Sequence, residues 1–160
     1  MKDALAVERE HLMNVFGIPS NEFHFVDGSG GGDSAVTTNA TIKLLKDMSE
    51  TEVFDAYKAS LPILGTDGSL AFVDEFEKND DLKGAKGNVF AKTGTFLEID
   101  DNGSIVIRAQ AFAGYIDAKS GKRLMYALYV NNVKATNPIE DVVRIFQDEG
   151  TISAIIWEEN

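Results

Sequence analysis

Gly87-Asn88-Val89-Phe90-Ala91-Lys92-Thr93-Gly94-Thr95-Phe96 begins as an apolar strand and ends in a cation, two hydroxyls and a glycine. Side chains alternate between the faces of a strand, so Val89 and Ala91 share one side and Phe90 and Lys92 the other. The alternation sets Lys92 on a sheet surface, where a fixed ammonium can hold an anion such as a carboxylate. Thr93 and Thr95 add hydroxyl donors beside it. Gly94 has no Cβ and lets a ligand backbone come close. Such a run is a poor core and a plausible binding edge. Taken alone, it also reads as an ordinary edge strand kept soluble by its lysine.

Downstream, Asp100-Asp101-Asn102-Gly103 reads as a hairpin turn whose Asn-Gly pair supplies positive φ angles. Those acids lack the spacing and closing Glu of an EF-hand, so a calcium loop is not expected. Residues 104–116 and 123–130 read as two further strands joined by a turn at 117–122, apolar enough to be central strands covered on both faces. Pro138 opens a helix at Ile139 that buries Val142, Val143, Ile145 and Phe146, and 151–157 closes the chain as a last helix or an extended arm.

Upstream, residues 3–16 have helical periodicity, with Leu5, Leu12, Val15 and Phe16 apolar and Glu8, Arg9 and Glu10 in water; Gly17 and Pro19 stop the helix. Residues 21–27 form a short strand with Phe23 and Phe25 against His24 and Val26. Residues 28–33 are glycine-dense but lack the features of a dinucleotide or phosphate loop, and read as a turn needing several positive φ angles. Thr37 or Thr38 caps a helix through Met48 with Ile42, Leu44, Leu45 and Met48 buried. Ser49-Glu50-Thr51-Glu52 reads as a capping box opening a second helix to about Ala59. Residues 61–70 form a loop punctuated by Pro and Gly, and the polar run 75–86 reads as a solvated connection. The sum is an α+β fold in which an antiparallel sheet of three or more strands is flanked by helices.

The 160 residues are read as a single domain, and 44% apolar with 26% charged residues is an ordinary globular balance. A formal charge of -11 without a Lys/Arg stripe argues against nucleic acid, and also against an anionic membrane surface. No apolar run is long enough for a transmembrane segment, and Met1-Lys2-Asp3 opens into a helical pattern rather than an export signal. Without cysteine there is neither disulfide nor thiolate metal site, and His11 and His24 have no ligand spacing. No metal or other cofactor is expected.

Several segments flank the Lys92 strand in a telling order: Val26-Asp27-Gly28-Ser29-Gly30-Gly31-Gly32-Asp33, then Leu61-Pro62-Ile63-Leu64-Gly65-Thr66-Asp67-Gly68-Ser69-Leu70, and downstream Ala111-Phe112-Ala113-Gly114-Tyr115-Ile116, Ser120-Gly121-Lys122-Arg123-Leu124 and Ala127-Leu128-Tyr129-Val130-Asn131-Asn132-Val133. In that order and spacing they resemble the C-terminal part of the class C penicillin-binding proteins, the serine D-alanyl-D-alanine carboxypeptidases and endopeptidases. The resemblance runs from about Phe16 to the end and implies part of a DD-peptidase/β-lactamase-like fold. Family members often continue Asp-Gly-Ser-Gly with Leu-Ser and a basic residue, where this chain has Gly31-Gly32-Asp33.

In that family a serine attacks the carbonyl between two D-alanines and an acyl-enzyme forms, using Ser-x-x-Lys, Ser-x-Asn and Lys-Thr-Gly. Only Lys-Thr-Gly is present here. No serine is followed three residues on by lysine, Ser120 reaching Arg123 instead, and no Ser-x-Asn occurs. Tyr129-Val130-Asn131 mimics a Tyr-x-Asn variant but lies after Lys92, where the family has a core segment. The family carries the first two motifs upstream of Asp-Gly-Ser-Gly, so the chain is expected to be a C-terminal portion of the catalytic domain, without the nucleophile and inactive alone.

By the resemblance, Lys92 pairs with the terminal carboxylate of a D-Ala-D-Ala peptidoglycan peptide or a β-lactam, Thr93 and Thr95 hydrogen-bond it beside Gly94, and the Thr95 backbone N–H is one oxyanion donor. The parent protein is then extracytoplasmic. The alternative is a non-catalytic peptide-binding or interaction domain that holds a carboxylate on the Lys92 edge. Core surface left uncovered would also favour a homodimer.

Overall fold

The Lys92 stretch is the first strand of a three-stranded antiparallel sheet in the computed structural model, which describes residues 2–160. The chain divides at Phe54/Asp55 into two compact units, where its length alone reads as one domain.

In the first unit, α1 (Lys2–Asn14) is an amphipathic helix with no fully buried residue; Leu5 and Leu12 are half-buried and Val15, expected on its apolar face, lies past its end and is exposed. Strands β1 (Phe23–His24) and β2 (Ala35–Val36) pair antiparallel, a shorter element than the alternation at 21–27 suggests. Helix α2 (Thr38–Ser49) is capped by Thr37, whose hydroxyl accepts the Ala40 N–H at 3.1 Å, and buries Ala40 and Leu45. Ile18, Phe23 and Ala40 centre a small core. The capping box expected at Ser49 does not form. Ser49 Oγ donates back to the Lys46 carbonyl at 2.6 Å and Thr51 Oγ1 to Met48, so both hydroxyls satisfy the end of α2 instead of starting the next helix. Helix α3 (Phe54–Ala59) follows at the boundary between the units.

In the second unit the sheet order is β3 (Val89–Ile99), β4 (Ile105–Asp117), β5 (Arg123–Lys134). β4 is central, as expected, but β5 is an edge strand, so the expectation of two central strands fails for it. At the β3–β4 hairpin Asp100 N–H bonds Ser104 C=O at 2.8 Å, and only Gly103 takes a positive φ (77°). Asn102 does not, because the Asp100 carboxylate accepts the Asn102 and Ser104 N–H groups and organises a longer loop. The register shifts between Phe96 and Leu97 as Arg108 is passed over, and Arg108 ties Glu98 to Asn132 there.

A single helix, α4 (Pro138–Glu159), covers one sheet face, replacing the separate last helix or arm expected at 151–157. Gly150 within it leaves room for its neighbour: a Cβ there would lie 2.2 Å from Val73 Cγ1. Phe146 stacks at 5.5 Å from Phe112 of β4, and Trp157 lies over Gly84, where a Cβ would meet the indole at 2.2 Å. The polar run 75–86 is not a mere connection: it coils into 3₁₀ turns Glu75–Lys78 and Asp80–Ala85 that bury Phe76, Leu82 and Ala85 against this core. Most of its charged residues face water while Phe76, Leu82 and Ala85 turn inward, an apolar set hidden by the density of charge.

Candidate functional site

The edge of β3 is built by what covers it and where that cover ends. Leu64 N–H donates to the Val89 carbonyl at 3.0 Å and Ala91 N–H to the Pro62 carbonyl at 2.9 Å, so the segment around Ile63 lies along the outer edge of β3 at Phe90. These bonds also fix the parity of the strand. In an antiparallel ladder, alternate residues turn both backbone groups toward the partner and the others turn both away. Val89 and Ala91 turn away from β4; so, up to the register shift, do Thr93 and Thr95. Among the described residues the backbone cover stops at Ala91, and the Thr95 N–H is directed outward beyond it.

The side chains divide by face. Val89, Ala91 and Thr93 are buried on the α4 side, while Lys92 and Gly94 are exposed on the other. The Thr93 hydroxyl is therefore not beside the Lys92 side-chain face: its Oγ1 is 2.8 Å from Ser69 Oγ, carried on the 3₁₀ turn Gly68–Leu70. Thr95 has the same parity as Thr93 but is exposed. What brings Lys92 back to the threonines is the edge itself, because its Nζ curls over and donates to the Thr93 carbonyl. The ammonium and the Thr95 N–H thus sit along the same open edge.

On the Lys92 face, small residues floor the sheet: Gly94 pairs with Ala111, and Lys92 with Ala113, which pairs with Ala127. The other end of this face is occupied. Tyr57 meets Tyr115 edge-on at 6.4 Å, and Lys58 Nζ stands 4.0 Å above the Phe90 ring while pairing with Asp117. Partial burial alone would raise the Asp117 carboxyl, but hydrogen bonds from Arg123 (2.8 Å) and Lys58 outweigh it and hold the carboxyl below its ordinary range.

Ser69 had no role in the sequence reading. Its signal is the turn pattern Thr66-Asp67-Gly68-Ser69, with Gly68 at φ 58° and Asp67 Oδ1 accepting the Ile63 N–H, which swings Ser69 toward β3. In the other unit the Asp27 loop is organised by its carboxylate: Oδ1 accepts the N–H groups of Ser29, Gly30 and Gly31, which hold the carboxyl below its ordinary range. Gly30 and Gly32 take the positive φ angles expected of the turn. Tyr129 is half-buried and Asn131 exposed, both on β5 away from the Lys92 edge strand.

No curated protein matches the chain. A family model described as the D-Ala-D-Ala carboxypeptidase 3 (S13) family matches residues 1–147. With that span of its 160 residues matched, and helices together with antiparallel sheets in the structure, the chain belongs to the D-Ala-D-Ala carboxypeptidase 3 (S13) family.

Proposed function

We propose that Lys92, Thr93, Gly94 and Thr95 form the carboxylate-binding edge of a serine-type D-Ala-D-Ala carboxypeptidase acting on peptidoglycan stem peptides, and that this chain is the C-terminal portion of that catalytic domain. The observation that carries the reading is the open β3 edge, where the Lys92 ammonium and the outward Thr95 N–H lie together. An ammonium there neutralises the terminal carboxylate of the peptide, or that of a β-lactam. The Thr95 N–H donates to the oxygen that becomes anionic when a nucleophile adds to the scissile carbonyl. Thr93 acts from behind, its hydroxyl bonded to Ser69 and its carbonyl holding the Lys92 ammonium. Gly94 keeps the strand surface low enough for a peptide to lie alongside.

No described serine belongs to a Ser-x-x-Lys or Ser-x-Asn motif, so the step this edge would assist has no nucleophile in the chain. The isolated chain neither hydrolyses D-Ala-D-Ala peptides nor is acylated by penicillin. The parent protein works outside the cytoplasm, where peptidoglycan is found; among the described residues no helix is long and apolar enough to cross a membrane. The outer edge of β5 supplies the surface for self-association, since among the described residues no strand pairs with it.

The test is labelling with a fluorescent penicillin, on the chain alone and on a version extended with a segment carrying Ser-x-x-Lys and Ser-x-Asn. Label on the extended protein alone is expected. Label on the isolated chain overturns the inactive-portion reading. Label on neither favours a non-catalytic domain, whose Lys92 edge is then titrated with a D-Ala-terminated peptide.

A further inference from the structure

Residues 61–64 lie along the edge of β3 just before Lys92, and the way they end decides how much ligand that edge can take. Leu64 is bonded through both of its backbone groups, its N–H to the Val89 carbonyl at 3.0 Å and its carbonyl to the Gly87 N–H at 3.1 Å. Ile63 stands opposite Phe90, and the Pro62 carbonyl accepts the Ala91 N–H at 2.9 Å. In an antiparallel pair the residue at Pro62 would return an N–H to the Ala91 carbonyl, but proline has none. The added strand therefore stops at Pro62. On its far side the chain turns into the end of α3, where the Leu61 N–H bonds the Lys58 carbonyl at 3.1 Å.

This short strand is anchored on both faces of the sheet. On the Lys92 face, Lys58 of α3 stands 4.0 Å above the Phe90 ring and pairs with Asp117 of β4. On the α4 face, Ser69 Oγ lies 2.8 Å from Thr93 Oγ1, and the Gly65 N–H closes the loop onto the Leu70 carbonyl at 3.0 Å. Pro62 itself is backed by Gly68, where a Cβ would lie 3.1 Å from the proline Cβ. Leu64 and Leu70 are fully buried, so the loop cannot lift from the edge without opening the core.

Among the described residues, the outward backbone groups of β3 past Pro62 run in order: the Ala91 carbonyl, the Thr93 N–H, the Thr93 carbonyl that holds the Lys92 ammonium, and the Thr95 N–H. A peptide adds to such an edge through main-chain hydrogen bonds. Strand residues rise about 3.4 Å each, so Thr95 and Thr93 are about 7 Å apart, which suits one leaving residue with its carbonyl neighbour at the Thr95 N–H and its carboxylate at the ammonium. Ala91 is about 7 Å further on, and there Pro62 occupies the line that a longer leaving chain would follow.

We propose that residues 61–64, with Pro62 at the tip, are a specificity-determining stop that admits a terminal residue past the scissile carbonyl and excludes a continuing chain. The stop rests on the Lys92 edge being a carboxylate site, and it suits that edge to removing a terminal residue rather than to cutting within a chain.

Amide hydrogen exchange of the isolated chain, read by NMR, tests the stop first. The Leu64 and Ala91 N–H groups are expected to be protected and those of Thr93 and Thr95 to exchange freely. An Ala91 N–H that exchanges as fast as that of Thr95 overturns the stop, whatever the edge binds. The second arm uses the extended protein and two uncharged substrates, an acetylated peptide ending in D-Ala-D-Ala-amide and the same peptide continued as D-Ala-D-Ala-Gly-Gly-amide, which differ in length alone. For cleavage between the D-alanines, the longer peptide is expected to show a kcat/KM at least about tenfold lower, since packed backbone rejects the extra chain. Equal values, with D-Ala-D-Ala hydrolysed and penicillin label present, overturn the stop and leave the carboxylate edge standing. An extended protein that takes no label overturns the edge, and the stop with it.

Discussion

Lys92 has its neighbours on two sides of one strand, and that geometry separates its role from those of the threonines. Its ammonium reaches the edge by bonding the Thr93 carbonyl, whereas the Thr93 hydroxyl bonds Ser69 on the other face. Lys92→Ala in the extended protein is expected to cut penicillin acylation by about 10- to 100-fold, the worth of a hydrogen bond to a charged group at about 1.5–3 kcal/mol. Stopped-flow acylation measures it, and an unchanged rate removes Lys92 from the site. Gly114 answers a different constraint. A Cβ there would lie 1.9 Å from the Phe90 carbonyl oxygen and 2.9 Å from Ala91 Cα, both backbone atoms that no rotamer change can move. Gly114→Ala is expected to cost about 3 kcal/mol or more by forcing β3 from β4, and a denaturation midpoint equal to wild type would contradict this.

At the scale of elements, α4 and the 3₁₀ turns beneath it make one packed layer. Gly150 costs the helix about 1 kcal/mol relative to alanine, yet Val73 Cγ1 leaves no room for a methyl group. Gly150→Ala is therefore expected to destabilise by about 1–3 kcal/mol, overpacking exceeding the helix gain. Added to Val73→Ala, which removes the obstructing methyls, the same change is expected to stabilise; additive effects in the double-mutant cycle would refute the clash. At the end of β4, Asp117 joins α3 to β5 through Lys58 and Arg123. Its carboxyl is depressed in the folded chain, so its contribution is present above the ordinary value of 3.8 and lost as pH falls through the lower folded value. Asp117→Asn is expected to flatten the acid limb of the stability curve, read by unfolding at a series of acidic pH values.

For the whole molecule, the sheet manages its two edges unequally. The start of β3 is covered by the Ile63 segment, whereas among the described residues no strand pairs with the outer edge of β5, where Leu124, Leu128 and Val130 are half-buried. A concentration-dependent dimer is expected in light scattering, and a clean monomer at high concentration would remove self-association from the proposal. The local patterns were legible in the sequence wherever a short-range rule decides: the Thr37 cap, Pro138 at the start of α4, the Gly103 turn, the alternation that puts Lys92 opposite Val89 and Ala91, and the ordered motifs that resemble the family. These depend on neighbours within a few residues, so the chain states them directly. Tertiary structure alone decided that β5 is an edge, that the charged run 75–86 lines the core, that Thr93 turns to Ser69, and that Glu149 is buried. Each of these depends on a partner brought close by folding, and the free energy of a buried or paired group belongs to that partner as much as to the residue itself.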